Sequence, residues 1–428
     1  MNKFKFALMA LAGFAFLTAC EEEEDNNDIN FAPYTVEQNK ANLEEQGLKM
    51  IDEGKAMQEM QTWGVAESMV HFMDIDDPEE FRNTSGKYLL QPILIGAAVR
   101  KNNVSFVGKQ LKSMLDEPET LAEMWDEITG IYTWNNETQE WDTEDTGDEV
   151  IFHFPSTENG TTNNAEFKIY DFDLYTGTFA YEDEVEELPV KLVAELKVDN
   201  NELMSFLYQT NIDNQGYVTR IELTFTVENY TWSTIATYTP HSKGTFEESF
   251  KKGNEVLIGA YLSAEGSFNS ENVEVAIDEE VPEDILDKLN AKLQVMNIAM
   301  EGMVNVDPLA SAMRQYENEE NDETVIKGYV AALNAHTSLY IKYVDLNQVI
   351  AYVQFKAIKE VDTWTEWEYN YETNSWYEVT VTEEYWDMMP QFKFADGSLM
   401  DADLFFETGF EDFEDEMEEW LGDVDWDK

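Results

Sequence analysis

The spacing of apolar residues changes along the chain, and each change predicts a different secondary structure. After Thr35, which has capping-box spacing to Gln38, apolar residues recur at helical intervals, so we predict a helical N-terminal region at 34–128. Part of this region is rich in methionine, which is typical of core filling or of an adaptable binding groove, and core filling is favoured. The methionines concerned are Met57, Met60, Met69 and Met73.

From residue 130 the period of the pattern shortens to two residues. Apolar and polar residues alternate in 190–198 and in 221–227, which predicts strands with one buried and one solvated face. Polar turn segments such as Asp199-Asn200-Asn201 separate these stretches, as in an antiparallel meander, so we predict a β region at 129–280. Further strands are predicted near 149–154, 165–171, 202–210, 231–239 and 255–263.

A second change in spacing follows Pro282. Apolar residues return to helical intervals, which predicts a helical segment at 281–325 that covers the apolar face of the sheet. Its stripe comprises Ile285, Leu286, Leu289, Leu293, Met296, Met300 and Met303. Strand patterns resume in a C-terminal β region at 326–428, which contains an aromatic hairpin near 363–384 and ends in an acidic helix.

These patterns together predict an α+β fold. We expect an extended antiparallel β-sheet, with N-terminal and central amphipathic helices packed on its apolar face. Residues 34–428 are expected to form one composite globular unit. In outline, this arrangement resembles the half-barrel of lipoprotein carriers, although it shares no motif with them.

Residues 1–19 have the organisation of a secretory signal peptide. Lys3 and Lys5 precede an apolar run at 6–16 that is too short to span a bilayer stably. The segment Leu17-Thr18-Ala19-Cys20 then resembles the lipobox of bacterial lipoproteins. This resemblance implies cleavage before Cys20, a diacylglyceryl group on its sulfur and an acyl chain on the new amine. Together, these chains would hold the protein to a bilayer.

A run of five acidic residues follows the cysteine directly. The run comprises Glu21, Glu22, Glu23, Glu24 and Asp25, and it lies in a predicted lipidated tether at 20–33. It resembles the signal that sends lipoproteins of some Gram-negative groups to the outer face of the outer membrane, and its alternative interpretation is a solvated tether. The resemblance implies an outer-membrane location facing the cell exterior, with a periplasm-facing location as the alternative.

The charge of the chain restricts its partners. The formal net charge is −62, from 89 acidic and 27 basic residues, which excludes nucleic-acid binding and disfavours anionic membrane surfaces. The acidic residues are spread along the whole chain, so a solvated surface is favoured over specific divalent-cation sites. We expect no cofactor and at most a non-specific association with Ca²⁺. Asp213 and Glu222 are weak calcium candidates, because the segment 211–222 fits a hairpin turn better.

Familiar catalytic and cofactor motifs are missing from the sequence, and its aromatic hairpin is the strongest candidate for a functional site. Exposed aromatic rings stack on sugars or dock partner proteins, whereas the alternative interpretation is a cross-strand ladder with core packing. The ligand-binding candidates are Trp364, Trp367, Tyr369, Trp376 and Tyr377. The segment 134–141 resembles 369–376, and both are predicted hairpins with a polar turn flanked by aromatic residues.

Three functions therefore remain open. We favour a non-enzymatic binding module that is anchored to the membrane through Cys20 and binds a glycan, a protein or a hydrophobic ligand. The first alternative is a carrier that holds a lipid or another hydrophobic ligand in a cavity between sheet and helices. The second alternative is a glycan-active hydrolase whose paired carboxylates are hidden among the many acidic residues.

Overall fold

A computed structural model describes residues 30–72, 120–145, 147–179, 185–268, 285–316, 318–370, 372 and 374–423. These residues form helices and long β-strands, which confirms the predicted α+β class. The chain divides into two compact units. We call Met1–Ile51 together with Tyr261–Lys428 the terminal unit, and Asp52–Ala260 the central unit.

In the described part of the central unit, nine strands form a meander in the order β2-β1-β3-β4-β5-β6-β7-β8-β9. The strands are β1 (Gly130–Asn135), β2 (Glu140–Glu144), β3 (Val150–Phe154), β4 (Ala165–Thr178), β5 (Val185–Val198), β6 (Asn201–Ile212), β7 (Val218–Val227), β8 (Tyr230–Thr239) and β9 (His241–Lys252). Neighbouring strands are antiparallel except β1 and β3, which pair in parallel. The predicted antiparallel meander is therefore confirmed, with one parallel pair at its edge.

Alternating burial along these strands follows from the alternation in the sequence. On β3, the side chains of Val150, Phe152 and Phe154 are buried while those between them are only partly buried. Met69 on helix α2 (Gln61–Phe72) and Met60 just before it are also buried, so the methionine-rich stretch supplies core residues as predicted. The hydroxyl of Ser68 on α2 donates a 2.9 Å hydrogen bond to the carbonyl of Pro155.

A small polar cluster connects helix α1 (Val36–Gln58) to β8 and β9. Lys252 donates to both carboxylate oxygens of Glu53, at 2.9 and 2.6 Å, and the hydroxyl of Tyr230 donates to one of them at 2.8 Å. Burial of Glu53 opposes its ionisation, but these hydrogen bonds outweigh burial and lower the pKa of the carboxyl group. The residues of α1 after Ile51 are thereby attached to the sheet of the central unit.

The terminal unit contains a second series of strands in the order β10-β11-β12-β13-β14-β15-β16. The strands are β10 (Glu255–Phe268), which includes the boundary between the units, β11 (Leu286–Val295), β12 (Ile298–Asn305), β13 (Thr337–Tyr343), β14 (Gln348–Asn370), β15 (Ser375–Lys393) and β16 (Leu399–Asp401). The helices after α2 are α3 (Leu121–Ile128) in the central unit, then α4 (Val306–Arg314), α5 (Asp322–His336), α6 (Ala402–Phe406) and α7 (Glu411–Asp423) in the terminal unit.

The first helix begins where the capping box predicts. The backbone N–H of Thr35 donates to the side-chain carbonyl of Gln38 at 2.9 Å, and the N–H of Gln38 donates to the Thr35 hydroxyl at 3.3 Å. The acidic C-terminal helix predicted from the sequence is α7, and it approaches α1 at Gly47. A Cβ atom at Gly47 would lie 2.6 Å from the ring of Phe413, so only glycine permits this approach.

Aromatic and aliphatic side chains share the core of the terminal unit. Phe405 on α6 is 1% exposed and packs edge-on against Phe392, with ring centroids 5.2 Å apart. The ring of Phe394 stacks on Phe405 at 5.7 Å, and the Nζ atom of Lys40 on α1 lies 5.1 Å from the same ring. This cluster attaches α1 and the C-terminal helices to β15.

The predicted central helix at 281–325 is wrong over most of its apolar stripe. Residues from Leu286 to Asn305 form the β11–β12 hairpin instead, and α4 and α5 follow it. Leu289 and Leu293 are four residues apart, a spacing that fits both a helix and one face of a strand. The deciding signal is the alternation within 288–295, followed by a two-residue turn in which Met296 has φ of 51°.

Candidate binding surface

The aromatic hairpin predicted near 363–384 is the distal part of the β14–β15 pair. Its strands stay in register from Tyr352 paired with Lys393 to Asn370 paired with Ser375. Neighbouring strands end much earlier, because β13 pairs with β14 only up to Val353, and β16 pairs with β15 only from Gln391. We call 361–370 with 375–384 the aromatic ribbon. Among the described strands, none pairs with its outer edges.

The ribbon exposes aromatic rings on both of its faces. Trp367 and Trp376 are 61% and 62% exposed, and Trp364 and Tyr377 are 37% and 44% exposed. Because Tyr369 pairs with Trp376 and Trp367 with Glu378, these four side chains share one face. The rings of Tyr369 and Trp376 meet edge-on at 5.1 Å.

The opposite face combines aromatic rings with carboxylates. The indole N–H of Trp364 donates to Glu366 at 2.7 Å, and the hydroxyl of Tyr377 donates to Glu368, also at 2.7 Å. Each carboxylate thereby fixes a ring and keeps a negative charge at the surface. The bond to Glu368 also raises the pKa of Tyr377, because ionising the phenol would place two negative charges side by side.

The proximal part of the same hairpin, 352–360 with 385–393, repeats this arrangement. The hydroxyl of Tyr385 donates to Glu360 at 2.9 Å, and this hydrogen bond raises the pKa of Tyr385 to about 12. The phenol therefore remains protonated at physiological pH and continues to act as the donor. Paired rings and carboxylates thus recur from the base of the hairpin toward its tip.

The segment 134–141, which resembles 369–376 in sequence, forms a hairpin of matching geometry in the central unit. Trp134 pairs with Trp141 as Tyr369 pairs with Trp376. In each hairpin the next pair closes a four-residue loop, Asn135 with Glu140 in one and Asn370 with Ser375 in the other. The last loop residue has positive φ in each, 58° at Gln139 and 54° at Asn374. The two segments therefore share local structure as well as sequence.

The two hairpins differ in what covers their aromatic pairs. The ring of Phe72 lies 5.1 Å from Trp134, and that of Phe152 lies 5.4 Å from Trp141. The indole N–H of Trp141 donates to the carbonyl of Phe72 at 3.3 Å. This pair is thus part of the packing of the central unit, whereas Trp376 on the ribbon is mostly open to solvent.

Comparisons of the chain with protein-family models, with curated proteins and with solved structures find no match. Within the described ranges, no helix is both long enough and apolar enough to cross a membrane.

The base of the ribbon is attached to helix α5. The side-chain amide of Asn334 exchanges two 2.8 Å hydrogen bonds with the backbone N–H and carbonyl of Phe355 on β14. On β15, the backbone N–H of Trp386 donates to Asp322 at 2.6 Å. The Nζ atom of Lys327 lies 4.7 Å from the centroid of the Trp386 ring. Helix α5 therefore supplies side chains that hydrogen-bond to the backbone of the proximal hairpin, and a cation that lies over one of its rings.

The two weak calcium candidates take part in separate local structures. The carboxylate of Asp213 accepts the backbone N–H groups of Gln215 and Tyr217, at 2.8 and 2.9 Å, which forms the hairpin turn favoured from the sequence. Glu222 accepts two hydrogen bonds from the guanidinium of Arg220, at 3.2 and 2.8 Å. In the part of the chain that the structure describes, no group of three or more His, Cys, Asp and Glu side chains could hold a metal ion.

Sequence reasoning selected the rings of the ribbon but missed its carboxylates and the role of α5. Glu366 and Glu368 could have been found from the alternation of acidic and aromatic residues within 364–369. The contacts of α5 join residues far apart in sequence, and no local pattern predicts them. The lipidation and export residues, 17–20 and 21–25, lie outside the described residues, so their roles stay predictions.

Proposed function

We propose that this protein is a non-enzymatic binding module of the cell surface, and that the aromatic ribbon is its contact element. The observation that carries this proposal is the contrast between two hairpins of similar sequence and matching geometry. One has its aromatic pair covered by Phe72 and Phe152, and the other keeps Trp367 and Trp376 largely exposed. Exposed apolar rings cost solvation free energy, so an unpacked cluster of them is typical of an interaction site.

The absence of packing separates the ribbon from an ordinary cross-strand ladder. An aromatic ladder that serves stability packs its rings against other side chains, as the partly buried Trp134 and Trp141 do. Large aromatic residues near the centre of an interface provide much of its binding energy when a partner excludes water from them. The ribbon presents such residues without requiring any rearrangement of the chain.

The proposal extends to location, through the predicted acylation of Cys20. The lipobox-like segment and the acidic run after it support an outer-membrane lipoprotein with its body outside the cell. Mass spectrometry of the native protein should find a chain that begins at Cys20 and carries the mass of a diacylglyceryl group and an acyl chain. A free thiol at Cys20, with residues 1–19 still attached, would contradict this location.

Binding through the ribbon can be tested without knowing the ligand. Labelled full-length protein is applied to a glycan array, to arrays of basic and acidic peptides, and to phospholipid vesicles. We expect binding to at least one panel, with loss of that binding in the Trp367→Ala/Trp376→Ala variant. The matched control is Leu404→Ala, which removes another exposed apolar side chain of the same unit and should change nothing.

A conservative variant distinguishes binding from folding. Trp367→Phe/Trp376→Phe keeps two flat apolar rings, so it should retain much of the binding that the alanine variant loses. Unaltered binding by the alanine variant, or no binding to any panel by the wild type, would refute the ribbon as the contact element.

A further inference from the structure

The proximal part of the β14–β15 hairpin shows which chemistry the hairpin accepts. Lys327 of α5 places its cation over the ring of Trp386, and Lys359 forms an ion pair with Glu384 at 2.5 Å. Asn334 of the same helix hydrogen-bonds to the backbone at the edge of β14. The hairpin base therefore binds lysines through a ring and a carboxylate, and binds polar groups along its edge.

The distal part carries the same groups and has no cation of its own, although Lys359, just before it on β14, pairs with Glu384. From 361 to 384 there are seven acidic residues and no Lys, Arg or His. Glu378 shares a face with Trp367 and Trp376, while Glu366 and Glu368 lie on the other face, each holding a ring. Both faces thus combine aromatic surface with carboxylates, and Glu366 and Glu368 accept hydrogen bonds from the neutral donors of Trp364 and Tyr377.

We propose that the ribbon docks a basic segment of a partner protein, rich in lysine or arginine. This inference rests on the proposed function and specifies its partner. Cationic side chains would lie over the exposed faces of Trp367 and Trp376 and pair with the ribbon carboxylates. The segment's backbone would lie along an outer edge, where no described strand pairs with 361–370 or 375–384.

Charge complementarity favours this partner over the other classes. Nucleic acids and anionic lipids would be repelled by the ribbon, whose charge has the same sign as theirs. A neutral glycan would use the rings but would leave the seven acidic residues of 361–384 without a role in recognition. A basic polypeptide uses the rings, the carboxylates and the open edge together.

The test measures the affinity of full-length protein for a synthetic peptide of alternating lysine and threonine by isothermal titration calorimetry. Matched peptides replace each lysine with glutamine or glutamate, and a neutral oligosaccharide provides the glycan arm. We expect the lysine peptide to bind, the glutamine and glutamate peptides to bind at least about tenfold more weakly, and high salt to weaken binding of the lysine peptide. Lysine and glutamine peptides of equal affinity would overturn the proposal.

Variants then test whether the lysine peptide binds at the ribbon. Trp367→Ala/Trp376→Ala should abolish it. Glu366→Gln/Glu368→Gln/Glu378→Gln should weaken it about tenfold or more, because glutamine keeps an acceptor for the ring donors but removes the charge.

The control Glu414→Gln/Glu418→Gln/Glu419→Gln removes equal charge from the exposed side of α7 and should leave affinity unchanged. If this control weakens binding as much as the ribbon variant does, the attraction is general to the acidic surface and the inference is wrong. If instead the oligosaccharide binds through the two tryptophans and the lysine peptide does not, the proposed function stands and the basic partner is excluded. No binding of either probe also overturns the inference.

Discussion

Replacing Trp141 with alanine should destabilise the central unit much more than replacing Trp376 destabilises the terminal unit. The two residues occupy equivalent positions in hairpins of matching loop length and register. They differ in their surroundings, so the comparison isolates the effect of packing from the effect of local sequence. It also tests directly whether the rings of the ribbon are needed for folding.

The expected magnitudes follow from what each ring contacts. Trp141 packs against two other aromatic rings and donates a hydrogen bond to Phe72, so its removal should cost about 3 kcal/mol, the lower end for large aromatic residues. Trp376 is 62% exposed, and the ring contact that it makes among the described residues is with Tyr369. Loss of that pair, together with the weaker strand preference of alanine, should cost about 1 kcal/mol.

Urea unfolding and amide hydrogen exchange measure these two costs. Exchange should accelerate throughout the central unit in Trp141→Ala, but only in the ribbon strands in Trp376→Ala. Trp141→Phe is an informative control, since it keeps a smaller ring and removes the hydrogen bond, which contributes about 1 kcal/mol. Equal destabilisation by the two alanine variants would show that Trp376 is needed for the fold, and would remove the main support for the ribbon as a free contact surface.

Three further outcomes test the fold. Phe405→Ala should lower the free energy of unfolding by about 3–5 kcal/mol in urea titrations, while Leu404→Ala, at a neighbouring residue that is 53% exposed, should lower it by less than about 1 kcal/mol. Thr35→Ala should cost about 1 kcal/mol in the same measurement, through loss of the capping box. Glu53→Gln should destabilise at pH 7. Because the folded-state pKa of Glu53 is lowered, the wild type is more stable than the variant above about pH 4.3, and this difference vanishes as the pH falls through the lower folded-state pKa. Urea unfolding of both proteins at pH 7 and at about pH 3 measures the difference.

Local signals in the sequence predicted the elements that they control. The capping box of Thr35 and Gln38 predicted the start of α1, because its partners lie within one helical turn. Clean alternation predicted strands at 190–198 and 221–227, because burial of one face requires it. Strand β9 (His241–Lys252) was missed, since polar and charged residues fill most of its positions and its burial is mostly partial.

Features that depend on long-range packing could not be predicted from the sequence. The motif at 134–141 and the motif at 369–376 share four of eight residues, yet their exposure differs because Phe72 and Phe152 come from elements outside the first motif. The prediction of a central helix failed for a related reason. A four-residue repeat such as Leu289 and Leu293 satisfies both periods, and pairing of β11 with β12 selects the strand.

The acidity of the ribbon should oppose pairing between the open edges of two copies of the chain. Unpaired strand edges that carry exposed aromatic residues promote pairing between copies of a chain. Two copies of this ribbon would each bring the seven acidic residues of 361–384, a range that contains no Lys, Arg or His, so their edges repel one another. The same charges that oppose self-association attract a basic strand, which makes the ribbon selective for partners of opposite charge. Replacing the carboxylates with glutamine should therefore have two effects together, weaker binding of the lysine peptide and concentration-dependent association of the chain, detectable by analytical ultracentrifugation. A variant that lost peptide binding and yet stayed monomeric at all concentrations would show that the carboxylates do not protect the edges.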